Sequence, residues 1–351
     1  MADILYLALQ DDDKIVTFGI DAASGKLVPR AETPAPGAPS VFALSPDRRV
    51  MYVGYRGTPG IESCRIDSTS GALTSLGRVT TEHWPTYLAA DRAGKYLLSA
   101  SYQGGYATVH PLGSDGAVSG PALDRQNTAP GAHAILTDPS NRFAFVPHIA
   151  RQQDNVLEPP KNIPGPNFIA QFRFDAATGK LSPNAPFKLE PPGPIGARHY
   201  CFHPALELVY FSDEQGCSVT AYRLDRASGT LSTVETTPSL PAGVTVRNTC
   251  SQIYLTPSAR FLYVGNRGHN SIAGFAVDAT GRLTPAGHAP TEAVPTAFGL
   301  DSSGTFLFAA GTASGRLASY RVDGVTGALA TLETYAVGRR PAAVLTVPLS
   351  R

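Results

Sequence analysis

Nine polar side chains stand where short apolar segments of the chain begin or end. His133, Arg198, His199 and Gln252 fall at segment starts; Tyr102, His148, Glu214, Asn266 and Arg267 fall at segment ends. So many polar groups beside apolar runs are better explained by a site than by a core, because burial without partners is costly. His133 is suited to a base, since an unperturbed imidazole titrates near neutrality. Arg198 and Arg267 are permanent cations whose planar fork matches a carboxylate, a phosphate or an oxyanion. Glu214 has three readings: it could orient His133, hold Arg198, or act as the base itself. The chemistry available to such a set is proton transfer on a small anionic molecule.

Other polar features carry less. His203, in Phe-His-Pro, reads as the cap of a turn, and Asp11, Asp12 and Asp13 as a solvated hairpin. No His, Asp or Glu pair has short metal-ligand spacing, and no Gly-rich loop is built to cradle a phosphate, so no metal or cofactor is expected. Cys64, Cys201, Cys217 and Cys250 form no C-x-x-C pair and read as reduced thiols. The formal net charge is +1, without a basic stripe, which leaves nucleic acid and anionic membranes no electrostatic handle. No apolar run approaches the ~20 residues of a membrane helix. Met1 to Gln10 reads as a strand, not a signal peptide, and the expected compartment is the cytoplasm. A monomer or weak homo-oligomer is expected.

The elements that must position these residues follow from a repeat. A turn of the type Asp-x-x-Ser/Thr-Gly-x-Leu recurs at residues 21–27, 67–73, 175–181, 225–231 and 323–329, with shortened copies at 113–118 and 278–283. Asp can hydrogen-bond its own backbone and Gly can take positive φ, so each copy reads as a hairpin. Ahead of each runs a pair of apolar strands around a turn of Pro, Asp and Ser type, such as Val41–Pro46 with Met51–Gly54. Equivalent first-strand positions are Val41, Tyr87, Ala134, His199, Gln252, Ala297 and Ala342, mostly 45–53 residues apart. That is the chain length of a four-stranded propeller blade. The reading is an all-β protein: a single seven-bladed propeller spanning residues 1–351, closed by pairing residues 342–347 with 4–9. The one long spacing, 65 residues, contains the Pro-rich stretch 151–167, which reads as a loop insertion without elements of its own, on the same rim as His133 and Arg198.

Several segments are specific enough to name a family. Gly131–Ile135, Gly196–Pro204 and Ser212–Val219, with Ser101–Gly105 and Asn266–Ile272, resemble the seven-bladed β-propeller lactonase family, whose best-known members are bacterial 6-phosphogluconolactonases. The resemblance runs the length of the chain. It implies a hydrolase that opens a sugar-acid lactone with water. A related fungal branch cycloisomerises a carboxymuconate, and the site proposed for it, one His, two Arg and one Glu, falls on His133, Arg198, Arg267 and Glu214. Tyr102, His148, His199, Gln252 and Asn266 would then contact the substrate. The sequence departs from the pattern at Gln103, where Asn is expected, and in the length of the 151–167 loop. A non-catalytic partner-binding propeller is the rival from another class; with Trp84 as the only tryptophan and the polar residues gathered at one mouth, small-molecule chemistry is favoured.

Overall fold

Strand follows strand with little interruption in the computed structural model, which describes residues 3–349. Seven antiparallel sheets stand around a common channel, each running from an inner to an outer strand. The first blade takes its inner strand, Pro341–Pro348, from the far end of the sequence and pairs it with Asp3–Leu9, followed by Lys14–Ile20 and Leu27–Pro34. Ile4 lies opposite Val347 and Leu7 opposite Val344, so the ring is closed by the pairing that the repeat implied. One register detail differs: Ala342 is a bulge, and Ala343 holds the place equivalent to Val41.

Alternation along each second strand explains why the blades stack. Successive side chains of a strand point to opposite faces. Leu5, Leu7 and Leu9 enter a cluster with Phe306, Phe308 and Leu317 of the seventh blade. Ile4 and Tyr6 enter one with Met51, Val53 and Ile66 of the second. One such cluster fills each blade interface. The outer strands have one wet face, as in Leu27–Pro34, where all but two residues are exposed.

The repeated turns bolt neighbouring blades together. Asp21 accepts the backbone N–H of Ser24 at 2.8 Å, and Asp67 that of Ser70 at 2.7 Å. The glycine that follows packs on an aromatic of the preceding blade: Tyr6 donates to the Gly71 carbonyl at 2.7 Å and Tyr263 to that of Gly327 at 2.8 Å. Gly71 has φ +75°, and a Cβ there would sit 2.9 Å from Ile4 Cγ1, so the position demands glycine twice over.

The fourth blade is irregular. Residues 132–137 form no continuous inner strand; they meet the next strand, Phe143–Pro147, through an isolated bridge at Thr137–Ala144 and the His133 N–H on Pro147 O at 3.0 Å, and its end at Ala132–His148. The cause is Tyr200 of the fifth blade. Its hydroxyl takes the Leu136 N–H at 2.9 Å and donates within reach of the Leu136 and Phe145 carbonyls, at 2.9 and 2.8 Å, where direct ladder bonds would otherwise run. The insertion also departs from a bare loop: Arg151–Gln152 and Ile163–Pro164 pair as a short ribbon.

Candidate functional site

Two backbone positions supply the site. The first is a bulge at the channel-mouth end of the inner strands. Ala197 pairs with Asp213 and His199 with Ser212, so Arg198 is the extra residue. In the fourth blade Ala132 bridges His148, which puts His133 at the same place. A bulge re-aims one side chain and leaves it outside the ladder. The second position is the residue just after the second strand. Tyr102 follows Tyr96–Ser101, Glu214 follows Leu208–Asp213, and Arg267 follows Phe261–Asn266. Backbone bonds hold these residues to the bulge segments: Glu214 N–H donates to Gly196 O at 2.7 Å, and Arg267 N–H to Thr249 O at 3.0 Å.

These residues converge on Glu214. Its Oε2 accepts from Arg198 Nε at 3.0 Å and its Oε1 lies 2.7 Å from Arg267 Nη2. His133 Nε2 is 3.9 Å from Oε2. His199 stands against His133, edge to face with ring centroids 5.0 Å apart, and Tyr102 closes the other side at 5.8 Å. The cluster is almost dry: the side chains of His133, Arg198 and Glu214 are 11%, 6% and 7% exposed.

Burial decides the charge states. It holds the His133 imidazole well below its ordinary pKa, and the Arg198 cation pushes it the same way. His199 is depressed by burial, then by Arg198 and by His133. Both rings are therefore neutral at pH 7. Burial also draws Arg198 down to about 10, aided by Arg267 and opposed by Glu214, so it remains a cation. Burial raises Tyr102 to about 12, leaving its phenol intact. Within this cluster three buried polar atoms have no partner among the described residues: His133 Nδ1, Arg198 Nη1 and His199 Nε2. Orphaned buried groups are rare and ask for an explanation.

Not every expected residue reaches this cluster with a free polar atom. His148 is spent on Phe168 O at 3.1 Å and Thr128 Oγ1 at 2.9 Å. Asn266 is fully buried, bonded to Ser239, Asn248 and Ser271. Gln252 Oε1 accepts the Phe298 N–H at 3.0 Å and ties the sixth blade to the seventh. His203 caps its turn, accepting the Ala205 and Leu206 N–H groups at 3.1 and 2.9 Å. Asp12 pairs with Arg339 at 2.6 Å, and Asp13 accepts Gly37 and Ala38 N–H groups.

The 151–167 insertion lies over this part of the rim. Gln153 N–H donates to Tyr102 Oη at 2.9 Å, and Gln215, next to Glu214, holds Ala150 N–H at 2.9 Å. At its far side Asp154, 4% exposed, meets Arg247 at 2.6 Å and Arg151 at 3.4 Å. Arg247 also donates to Glu158 O. The strap thus runs from the third and fourth blades past the fifth to the entry of the sixth. Sequence reasoning missed Asp154, Gln215 and Arg247; the clue for the first was an acid ahead of the prolines of the insertion.

Comparison with known proteins decides the family. A family model described as lactonase, 7-bladed beta-propeller, matches residues 5–346. The chain belongs to that lactonase family. A 6-phosphogluconolactonase of Pectobacterium carotovorum is 33% identical over 342 residues, 97% of each chain. One of Yersinia pestis is 32% identical over 343 residues with the same coverage. In three dimensions this lactonase matches a periplasmic gluconolactonase of Pseudomonas aeruginosa with a TM-score of 0.86 over all of both chains, at 24% identity, a likeness of fold. No helix among the described residues is long and apolar enough to cross a membrane.

Proposed function

We propose that the Glu214 cluster opens an aldonolactone, 6-phosphogluconolactone first among candidates, by attack of water on the ring carbonyl. The observation that carries this reading is the trio of orphaned buried atoms around one carboxylate: a neutral base, a neutral second imidazole and an unspent guanidinium N–H, all at one mouth. Desolvating such groups without partners costs roughly 1–3 kcal/mol each, which a bound substrate would recover.

In this mechanism Arg198 Nη1 donates to the lactone carbonyl oxygen, and His133 takes a proton from water as the oxygen attacks. The carbonyl π bond becomes a lone pair on the oxyanion. The imidazolium formed at His133 sits near Arg198, a repulsion that the nascent oxyanion offsets. Collapse expels the ring oxygen, which takes the proton back from His133. One water is consumed and a hydroxy acid is formed, released as its carboxylate and a proton. Glu214 has both oxygens engaged by guanidinium groups, so it serves as the fixed anion that spreads and aims Arg198 and Arg267. His199 and Tyr102 border the bound ring, while no substrate contact is assigned to His148, Asn266 or Gln252. Four free cysteines suit a reducing compartment, hence the cytoplasm. The exposed large apolar residues, such as Val28, Leu123 and Val325, are scattered over different blades, as suits a monomer.

The test is a pH-stat assay of the purified protein on glucono-1,5-lactone and 6-phosphogluconolactone, corrected for spontaneous hydrolysis. Turnover above background that His133→Ala and Arg198→Ala both remove supports the reading; no turnover on any sugar lactone defeats it.

A further inference from the structure

The last residue of the second strand holds an equivalent place in the fifth and sixth blades. In the sixth it is Asn266, opposite Ser271 of the third strand; in the fifth it is Asp213, opposite Ser218. Asn266 is satisfied on both sides of its amide. Its Oδ1 accepts from Ser239 Oγ at 2.9 Å and from Asn248 Nδ2 at 3.1 Å, and its Nδ2 donates to Ser239 O at 2.7 Å and to Ser271 Oγ at 3.3 Å. Asp213 has the shape of that side chain but, as a carboxylate, lacks its donor. Its Oδ2 accepts from Ser218 Oγ and Thr220 Oγ1, both at 2.7 Å, while its Oδ1 receives no hydrogen bond among the described residues. The residue is fully buried.

A carboxylate in that place is costly, because burial opposes its charge and one oxygen goes unserved. Alternation puts Asp213 on the face of Val209 and Phe211, which packs on Phe145 and Ile169 of the fourth blade, where Lys188 is turned over the Phe168 ring. The paired inner strand carries Arg198 and His199, the third strand Tyr222, and the entry of the sixth blade Cys250. Among the described residues none of these cations forms a salt bridge with Asp213, and its charge bears on the Tyr222 phenol and the Cys250 thiol, raising both. Burial outweighs the two hydroxyl donors and pushes the Asp213 carboxyl up to about 7. Glu214, next in sequence, meets two guanidinium groups. Two adjacent carboxyl groups thus stand in opposite surroundings, one suited to the anion and one to the acid.

We propose that Asp213 is a positioning residue that works as a neutral carboxylic acid: its proton makes Oδ1 the donor that the Asn266 amide supplies in the sixth blade, and leaves Glu214 alone to face Arg198 and Arg267. This role rests on the lactone-hydrolysis reading. One carboxylate between two guanidinium groups leaves a positive charge for the oxyanion. Asp213 pairs with Ala197, the residue before Arg198, and precedes Glu214, so an anion there would stand behind both and cancel that charge. The effect on stability has the opposite sign to that of a buried imidazole. The unfolded chain ionises this acid near 3.9, whereas the fold keeps its proton to about 7. Its contribution is therefore full below the lower value and is lost as pH rises through that window.

The experiment compares the pH profile of kcat/KM on glucono-1,5-lactone, corrected for spontaneous hydrolysis, in wild type and in Asp213→Asn, which places the amide of Asn266 at the equivalent position. The expected result is a fall of about tenfold in wild type from pH 6 to 8.5, the size of one added charge inside a protein. Asp213→Asn should lack that fall. An equal fall in both proteins, or a folded Asp213→Asn without activity at pH 6, would overturn the proposal. Two further arms need no turnover. Infrared spectra of wild type should show the carbonyl stretch of a protonated carboxylic acid at pH 6 that disappears with a midpoint near 7 and is missing from Asp213→Asn; wild type without that band at pH 6 rejects the neutral acid, and this reading stands even where the variant does not fold. In urea unfolding, the stability of Asp213→Asn relative to wild type should rise from pH 5 to pH 8, and a constant difference rejects the proposal. If wild type hydrolyses no lactone, the function reading fails, and the infrared arm still decides whether Asp213 holds its proton.

Discussion

The two halves of the channel mouth share one backbone and differ in what hangs from it. In the fourth and fifth blades the inner-strand bulge carries His133 and Arg198; in the second, seventh and first it carries Ser40, Thr296 and Ala342. After the second strand, the fifth and sixth blades present Glu214 and Arg267 locked together, whereas the second presents Arg56 stacked on Trp84 and in no salt bridge among the described residues. The first half is a dry cluster with two guanidinium groups on one carboxylate, the second an exposed half. Repetition built both, and a bulge repeated around the ring is a set of addresses to which chemistry can be delivered without disturbing the blades. Function in such a fold lives in the site and not in the architecture.

That comparison breaks most visibly at the bulge. His133→Ala should lower kcat by about 10²–10⁴-fold, the usual worth of general-base catalysis. Ser40→Ala, at the equivalent bulge across the mouth, should leave kcat within about twofold, the size of a surface change. Stopped assays of both variants beside wild type check this, and comparable losses would erase the distinction between the halves. Arg198→Ala should follow with a fall in kcat/KM of roughly 10²–10³-fold, as for a lost oxyanion donor. Arg198→Lys should recover only part of it, since an ammonium cannot reproduce the fork that spans Glu214 and the substrate.

Glu214→Ala sharpens the comparison through stability. It leaves Arg198 and Arg267 as neighbouring cations, one of them buried, and breaking a buried pair in this way costs about 3–5 kcal/mol. Arg56→Ala on the exposed half should cost less than about 1 kcal/mol. Urea unfolding of the two variants measures the gap. Glu214→Ala with Arg267→Ala should be more stable than Glu214→Ala alone, since the repulsion is relieved; a double variant no more stable than the single would mean that Glu214 is not the hub of the cluster.

The pH dependence has a definite sign. Burial holds both His110 and His148 down to about 4 in the fold, against an ordinary value near 6.5. Between those limits the unfolded chain binds protons that the native one does not, so stability rises with pH from about 4 to 6.5 and is lost as pH falls through that window. His133 and His199 add to the same slope from the dry half of the mouth. Melting temperature should therefore stay nearly flat from pH 7.5 to about 6.5 and decline from there to 4.5, while kcat/KM, which needs neutral His133, should persist below pH 6.5 as long as the protein stays folded. An acid limb of kcat/KM centred at 6.5 in folded protein would show that the imidazole is not desolvated as described.

The fold was legible because the repeat is written in turn chemistry. Asp and Gly recur with a fixed hairpin spacing, and the apolar pairs between them leave a propeller as the economical reading. His133, Arg198, Glu214 and Arg267 were legible through the rule that strand starts and ends meet at one mouth. The same rule admitted His148, Asn266 and Gln252, because sequence does not tell a polar side chain aimed at the channel from one aimed at a neighbouring backbone; that depends on bulge register, which is set by pairing partners far along the chain. The rule also reached Arg56 in principle, but no polar cluster in the sequence around it drew attention. The irregular inner segment of the fourth blade was out of reach, since its cause is the hydroxyl of Tyr200, 64 residues from Leu136.

The smallest expected effect concerns the strap. It crosses only the reactive half, from Tyr102 to Arg247, and its far end is fastened by Asp154. Asp154→Asn keeps the shape and removes the charge, so two opposing consequences follow. The strap loses its clasp and must be ordered at the expense of substrate binding, which raises KM. Arg151 and Arg247 also lose their carboxylate and become free cations at the rim, which favours arrival of an anionic substrate. The partners are 43% and 32% exposed, so the pairing is worth no more than about 1 kcal/mol to stability, and melting should move by only a few degrees. The ordering cost should win at physiological salt, where a Debye length of about 8 Å screens the freed charges, giving a KM raised several-fold with kcat nearly unchanged. At low salt the gap from wild type should narrow, because the freed arginines then steer the substrate. A salt series of KM on the same variant separates the two contributions: a gap that does not depend on ionic strength would assign the whole effect to the strap's mechanical hold, and a fall in kcat as large as the rise in KM would mean that the strap shapes the reacting groups themselves.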